Sequence, residues 1–502
     1  MLSSEQLEEL KVIKDKFEEN KSTHNEIVGQ VKKYRYYYDN KVGRVEKSRI
    51  IRNLRLVGEV SNWINTDGKI LEKQFINNTY QYSPTGLDVL DILVETTLPK
   101  TAVETLRTYS VGELPVADID SENDEQINWA REFEKNVLLH EKIGDLVIEL
   151  CVTGNAFFKN ELDMDGQVKW INLPIENVLI IPSDYDVNEP GYFVYFCLDN
   201  KTQEVNYIEI FKSNGEIYII RDLEKLDSEN NEVIENGLNT FNIKFIKGLQ
   251  RNEINTLYGG SIYQGLESVF REIVERKTSN SYIFNKFANP NLITSKELSE
   301  LNEQGQKVVY TGKVYNLGDP EDAAATKYLE SPTGHLANTY PHFDQNLKEA
   351  YAQLGVNETA LGLGDMGGVA SGEAFKKAIT PTLNKCRDIN NRLYIPLIMG
   401  YRHAYQLETG EDSLKLDIKF ADGIAPSDKE TAETNAILVN NELQSRETIL
   451  IKQGYNQKEA LDEIQRIAEE KALMTLTAGE IDEENINPIE PQVPTIEPEN
   501  DK

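Results

Sequence analysis

Residues 361–377, LGLGDMGGVASGEAFKK, match the pattern G-x-G-x-x-G at Gly362, Gly364 and Gly367. Glycines so spaced let a backbone come close to a pyrophosphate, and the chemistry they would serve is nucleotide binding. That chemistry requires a buried strand before the first glycine, a helix after the last, and an acidic residue at the end of the next strand. The preceding segment HFDQNLKEAYAQLGVNE (342–358) instead places Phe343, Leu347, Tyr351 and Leu354 at helical spacing, with no β-branched run. Asp388, about twenty residues beyond the glycines where an acidic partner belongs, sits inside another helical pattern. The loop therefore reads as a connection from helix to helix. An acidic cytoplasmic nucleotide-binding enzyme using the 362–367 glycine loop is the alternative.

The other residues with chemical potential make no recognisable constellation. The histidines at 24, 140, 335, 342 and 403 form no H-E-x-x-H and stand at no metal-ligand spacing with cysteine. His335 and His342 fall on one helical face and read as surface residues. Neither a G-x-S-x-G elbow nor a G-x-x-x-x-G-K-[ST] loop occurs. Adjacent carboxylates such as Glu321/Asp322 and Glu469/Glu470 are expected in so acidic a chain. No enzyme, no cofactor and no metal are expected.

The elements that hold these residues come from a chain of 502 residues, 39% hydrophobic and 27% charged, with a formal charge of −31. That length suggests two to four domains at roughly 150 residues each. No apolar run approaches the ~18 residues needed to cross a bilayer, and the amphipathic start MLSSEQLEELKVIKDKFEEN lacks the apolar core of a secretory signal. Cys151, Cys197 and Cys386 are far apart and read as small buried hydrophobes in a reducing compartment. The charge argues against tight nucleic-acid binding, whose affinity comes mostly from neutralised phosphates. It suits either mere solubility or a surface that DNA must touch without sticking. Residues 31–55 break the acidic trend, and Lys32, Lys33, Arg35, Arg49 and Arg52 among interleaved tyrosines are candidates for a subunit or nucleic-acid contact.

Along the chain, a helical stripe at 124–151 ends at Thr153-Gly154, and short β runs fill 155–250. Asp165-Gly166 and Asn214-Gly215 mark hairpins. Helix returns at 259–287, with Glu267–Arg271 and Glu272–Arg276 as i,i+4 pairs. A mixed segment follows at 290–331, then a helix at about 333–354 and the glycine loop. A long helix at 371–409 contains Pro381 and Pro396 and is expected to kink there. The strand SLKLDIKF comes next, and then three helices at 426–477 with capping boxes at Ser427-x-x-Glu430 and Asn456-x-x-Glu459. The acidic, proline-rich tail from 479 is expected to be disordered.

This order resembles the portal proteins of tailed bacteriophages over most of residues 125–475, with a weaker match in the first hundred. ELCVTGNAFFKNELDMDGQVKWINLPIENVLII is similar to the portal wing, and YGGSIYQGLESVFREIVERKTSNSYIFNKFANPNLI to the stem helix entering the clip. ASGEAFKK looks like the start of the long helix after the tunnel loop. APSDKETAETNAILVNNELQSRETILIKQGYNQKEALDEIQRIAEE is similar to the family's helical C-terminal region.

The resemblance implies an α+β portal fold with a β-rich wing, helical stem, small α/β clip, long kinked helix and helical crown. The segments would be an N-terminal region at 1–123, wing at 124–258, stem helix at 259–289, clip at 290–331 and second stem helix at 332–354. The tunnel loop would be 355–370, followed by the long helix and return to the wing at 371–425, the crown at 426–478 and the tail at 479–502. Glu358, Gly362, Gly364, Asp365, Met366, Gly367 and Gly368 would line the DNA channel, with the glycines giving the loop freedom to flex and Asp365 and Met366 near its tip. Lys296, Glu297, Lys307, Lys313 and Asp319 of the clip would meet the packaging motor and tail adaptor. Implied partners are further copies of the chain in a ring of usually twelve, double-stranded DNA, the terminase motor, a head–tail adaptor, and major capsid and scaffolding proteins. The implied location is the capsid vertex of a virion, reached from the host cytoplasm during assembly. A different virion connector without a DNA channel is a further alternative.

Overall fold

The computed structural model describes residues 2–56, 69–76, 79–91, 93–119, 124–198, 205–221, 228–235, 240–288, 292–294, 314–316, 333–363, 372–421, 434–439, 441, 444–452 and 460–469. The chain divides into two compact units, Met1–Ile424 and Ala425–Lys502.

The β-rich part of the first unit follows from continuous apolar runs whose two faces go to different cores. An antiparallel sheet of five strands runs β10 (Glu232–Glu235), β9 (Glu216–Ile220), β8 (Val205–Lys212), β7 (Pro190–Leu198) and β6 (Val178–Pro182). Successive side chains of a strand point to opposite faces. In β6, Val178 and Ile180 accordingly enter one core while Leu179 and Ile181 enter another, and in β7 Phe193 and Val194 divide the same way. The first core lies against a second sheet, β11 (Lys244–Lys247), β4 (Asn155–Leu162) and β5 (Val168–Leu173), where Phe157 stacks on Phe245 with ring centroids 4.9 Å apart. The second is closed by Leu10 and Ile13 of helix α1 (Ser4–Tyr38). Both faces of the large sheet are therefore buried, which is why its strands show no polar alternation.

The remaining core is helical. It gathers α4 (Leu98–Val111), α6 (Leu139–Thr153), α7 (Glu267–Ala288), α8 (Thr333–Leu354) and α9 (Gly372–Thr409) through residues such as Leu106, Leu146, Phe270, Leu354 and Leu393. The α9 helix continues unbroken through Pro381 and Pro396. A short strand β16 (Leu416–Lys419) then pairs antiparallel with β3 (Val116–Ile119). The cysteines are free and buried, as their composition suggested.

Two helices differ from the sequence expectation. The stripe at 124–151 is two helices, α5 (Asp124–Asn136) and α6, because Leu138 takes a left-handed conformation with φ 52. The helix expected from 259 begins at Glu267. Gly259 and Gly260 instead form β13, paired with β12 (Gln250–Arg251), and Ile262 and Leu266 are buried ahead of the helix. The glycines are needed there because a Cβ on Gly259 would lie 2.2 Å from the Gly154 carbonyl oxygen. Asn155 reads both backbone groups of Gly259, with Oδ1 accepting its N–H at 2.8 Å and Nδ2 donating to its carbonyl at 3.1 Å. A side-chain amide thus welds the end of α6 to the segment that leads into α7.

In the second unit the described residues are helical at 434–439, Arg446–Lys452 and 460–469. Ser445 Oγ caps the middle helix by accepting the Thr448 N–H at 3.1 Å. The boxes at Ser427 and Asn456, and the tail, lie outside the described residues.

Candidate functional site

The glycine loop begins where α8 ends. Gly355 takes φ 78, its N–H donates to the Ala352 carbonyl at 3.1 Å, and the Val356 N–H reaches back to Tyr351 at 3.0 Å. This is the bonding pattern of a left-handed helix cap, and it favours glycine. Lys385 Cγ of α9 would stand 2.7 Å from a Cβ at this position, a second reason for glycine. Leu354 and Val356 on either side are buried in the helical core.

Asn357 then ties the loop to α9. Its N–H donates to Thr382 Oγ1 at 3.1 Å, its Nδ2 donates to the Ala378 carbonyl, and its Oδ1 accepts the Ala360 N–H at 2.8 Å. Two residues later the cap pattern recurs. Gly362, at φ 70, donates to Thr359 at 3.1 Å, and the Leu363 N–H donates to Glu358 at 2.9 Å. Gly362 thus closes an ordered turn; its conformational freedom is spent on one left-handed residue, not on motion. Leu363 is exposed and Glu358 half-buried at this turn. Burial, and then the charges of Glu358 and Asp344, push the Tyr351 phenol up from its ordinary pKa. Gly364, Asp365, Met366, Gly367 and Gly368 lie outside the described residues.

The glycines follow a helix and its capped turn, and α9 opens at Gly372, so no strand leads into the motif. The geometry a dinucleotide needs, strand then loop then helix, is not present at this place. Among the described residues no three His, Cys, Asp or Glu side chains are grouped to hold a metal ion, and no helix is long and apolar enough to cross a membrane.

Helices α7 and α8 pack on one another, and α7 also meets the N-terminal helices α1, α2 (Val42–Val45) and α3 (Lys47–Leu56). Tyr34 donates to Glu267 at 2.8 Å, and Asn53 donates to Glu275 at 2.9 Å. Arg271, expected to pair with Glu267, reaches Glu46 at 3.4 Å instead, while the Glu272–Arg276 pair forms at 3.6 Å. Of the mixed segment after α7, β14 (Leu292–Thr294) and β15 (Val314–Asn316) pair in parallel. Lys296, Glu297, Lys307, Lys313 and Asp319 lie outside the described residues.

Three of the five basic candidates, Lys33, Arg35 and Arg49, are neutralised within the chain. Arg35 forks onto two carboxylates, Glu149 at 2.6 and 2.9 Å and Glu176 at 2.7 and 2.9 Å. Burial alone would raise the Glu176 pKa, but the Arg35 guanidinium holds it below the usual carboxylate value. Lys33 and Arg49 pair with buried Glu46 at 3.2 and 3.3 Å. The interleaved Tyr34 and Tyr37 are buried, so they offer no stacking surface. Lys32 and Arg52 are exposed.

Sequence reasoning missed Asn357, Thr382 and Asn155. Each works by bonding backbone groups far along the chain, which leaves no local pattern; only the glycines at 355 and 259 beside them hint at tight turns.

Among curated proteins none matches this chain. Solved structures that resemble it include the virion of a native gene transfer agent particle, 11% identical over 70% of this chain and 89% of that one with a TM-score of 0.39. The neck of the empty gene transfer agent particle is 12% identical over 71% and 90%, with a TM-score of 0.41. A family model described as "Phage portal protein, SPP1 Gp6-like" matches residues 18–473, nearly the whole chain and including most of the first hundred residues. With that span matched, the chain belongs to the SPP1 Gp6-like family of phage portal proteins.

Proposed function

We propose that this protein works as one subunit of a ring at a capsid vertex, through which double-stranded DNA is packaged and later ejected, and to which motor and tail attach. The family match over residues 18–473 carries this reading. Residues 124–258 with the return at 371–425 would form the wing, 259–289 and 332–354 the stem, 290–331 the clip facing the terminase motor and adaptor, and 426–478 the crown. ATP hydrolysis would belong to the motor.

The tunnel loop would span the bonded base at 355–363 and the segment that follows. The turn from Gly355 to Gly362 is fastened to α9, so only residues beyond Leu363 would face DNA freely, with Asp365 and Met366 among them. The charge of −31 suits a wall that must conduct a polyanion without retaining it. Salt screens such repulsion over roughly 8–10 Å, comparable to the clearance around a duplex.

Negative-stain microscopy of the purified protein tests the reading. Rings of about twelve subunits with a duplex-wide hole support it; a compact monomer or dimer overturns it. Deleting 364–368 is expected to leave rings intact and impair DNA packaging or retention. Nucleotide binding lost on Gly364→Val would revive the enzyme reading.

A further inference from the structure

On this acidic chain, one place on the wing gathers cations that no carboxylate among the described residues neutralises. Lys247 ends β11, Arg251 lies on β12, and Arg392 stands on α9, which packs against β11. Arg251 and Arg392 are exposed, and Lys247 donates to the Thr256 carbonyl. Burial, then the charges of Arg392 and Arg251, push the Lys247 pKa down, the mark of like charges held together by packed elements.

The face of α9 that carries exposed Arg392 and Ile395 continues to half-buried Pro396 and Met399 at helical spacing. Ile395 is 55% exposed. Between Pro396, Met399 and the sheet lies a groove of about 330 Å³ lined by Phe193, Phe241 and Phe245. Lys244 stands in its wall, 5% exposed, with the Phe241 carbonyl as its acceptor; burial pushes its pKa down to about 8. An apolar groove thus carries a buried ammonium in its wall, and Arg392 stands one helical turn before Pro396 on the same helix.

We propose that this groove and the cations beside it, Lys247, Arg251 and Arg392, seat an acidic, apolar-tipped segment of a neighbouring copy of the same chain. The inference rests on the ring reading above and names the face that makes the contact. Two copies at −31 each repel one another inside the Debye length of about 8–10 Å, so a stable contact needs local opposite charge. The cations beside the groove supply it, and a net charge of −31 makes acidic partners plentiful on the neighbouring copy. The groove argues for protein over nucleic acid, since a phosphate backbone offers nothing apolar to fill it. An apolar patch with arginine beside it is a composition enriched in protein interfaces. A ring of identical subunits also requires the seat and the seated surface to be different patches.

The test uses the full-length protein with Arg251→Glu/Arg392→Glu and, separately, Ile395→Asp. All three positions are exposed, and thermal melting with circular dichroism checks that each variant folds like wild type. Mass photometry is expected to show assembly weakened about tenfold at physiological salt by the double reversal, with partial recovery at high salt, and weakened at all salts by Ile395→Asp. Carbodiimide crosslinking of mixed light and heavy protein is expected to join Lys244 or Lys247 to a carboxylate of the other isotope. Normal assembly by both variants overturns this inference alone, and so does normal assembly coupled with lost DNA retention, which would assign Arg251 and Arg392 to DNA. A wild-type chain that never assembles overturns the ring reading together with it.

Discussion

Asn357 and Thr382 sit 25 residues apart in sequence and meet at 3.1 Å, the backbone N–H of one on the buried hydroxyl of the other. This contact fixes where the loop leaves α8. Asn357→Ala would keep this backbone bond but remove the side-chain bonds to Ala378 and Ala360, leaving the Ala378 carbonyl without that partner. The expected cost is about 1–3 kcal/mol in chemical denaturation, with faster hydrogen exchange at Ala360 to Leu363. Unchanged exchange there would show that the turn stands without its clamp.

Gly259→Ala is expected to damage the fold more than any surface change. Its Cβ would enter at 2.2 Å from the Gly154 carbonyl oxygen and 2.4 Å from the Gly248 nitrogen, all backbone groups that side-chain movement cannot relieve. A loss of more than about 3 kcal/mol, or insoluble expression, is the expected outcome, as for severe overpacking.

His403 is buried with neither ring nitrogen bonded among the described residues. Burial, then the Lys244 charge, pushes its pKa from 6.5 down to about 3. A folded-state pKa below the unfolded value means that its contribution is intact above about 6.5 and is lost as pH falls toward about 3. The expected slope is about 1.4 kcal/mol per pH unit in that window. His403→Leu should flatten this slope in urea titrations without lowering stability at pH 7. A variant that keeps the wild-type slope refutes the assignment.

Glu46 accepts from the Tyr37 hydroxyl at 2.8 Å and pairs with Lys33, Arg49 and Arg271 while itself 4% exposed. Burial alone would raise its pKa, but the Tyr37 hydroxyl and the cations hold it below the ordinary carboxylate value. Its contribution is therefore present above about 4.5 and is lost as pH falls through the depressed pKa. Glu46→Gln should cost about 3 kcal/mol at pH 7 and progressively less below pH 4. A constant difference across that range would place the loss in packing, not charge.

What the sequence determined by itself was whatever repeats over a few residues. Phe343, Leu347, Tyr351 and Leu354 marked a helix before the glycines, and that alone removed the strand a nucleotide loop needs. Asp165-Gly166 and Asn214-Gly215 fixed two hairpins, because turns are set by their own residues; β4 pairs with β5 and β8 with β9 as they require. The segment order was enough to identify the portal family.

Tertiary structure decided which groups are spent. Residues 31–55 look like a free basic patch, yet the acids that take up Arg35, Glu149 and Glu176, lie 114 and 141 residues away. Gly259 and Gly260 read as helix until a second chain segment is seen crossing them at backbone distance. Gly362 reads as a flexible hinge until its bond to Thr359 shows it closing a turn. Periodicity depends on neighbours along the chain, whereas neutralisation, close backbone approach and loop anchoring depend on neighbours in space, and only the fold brings those together.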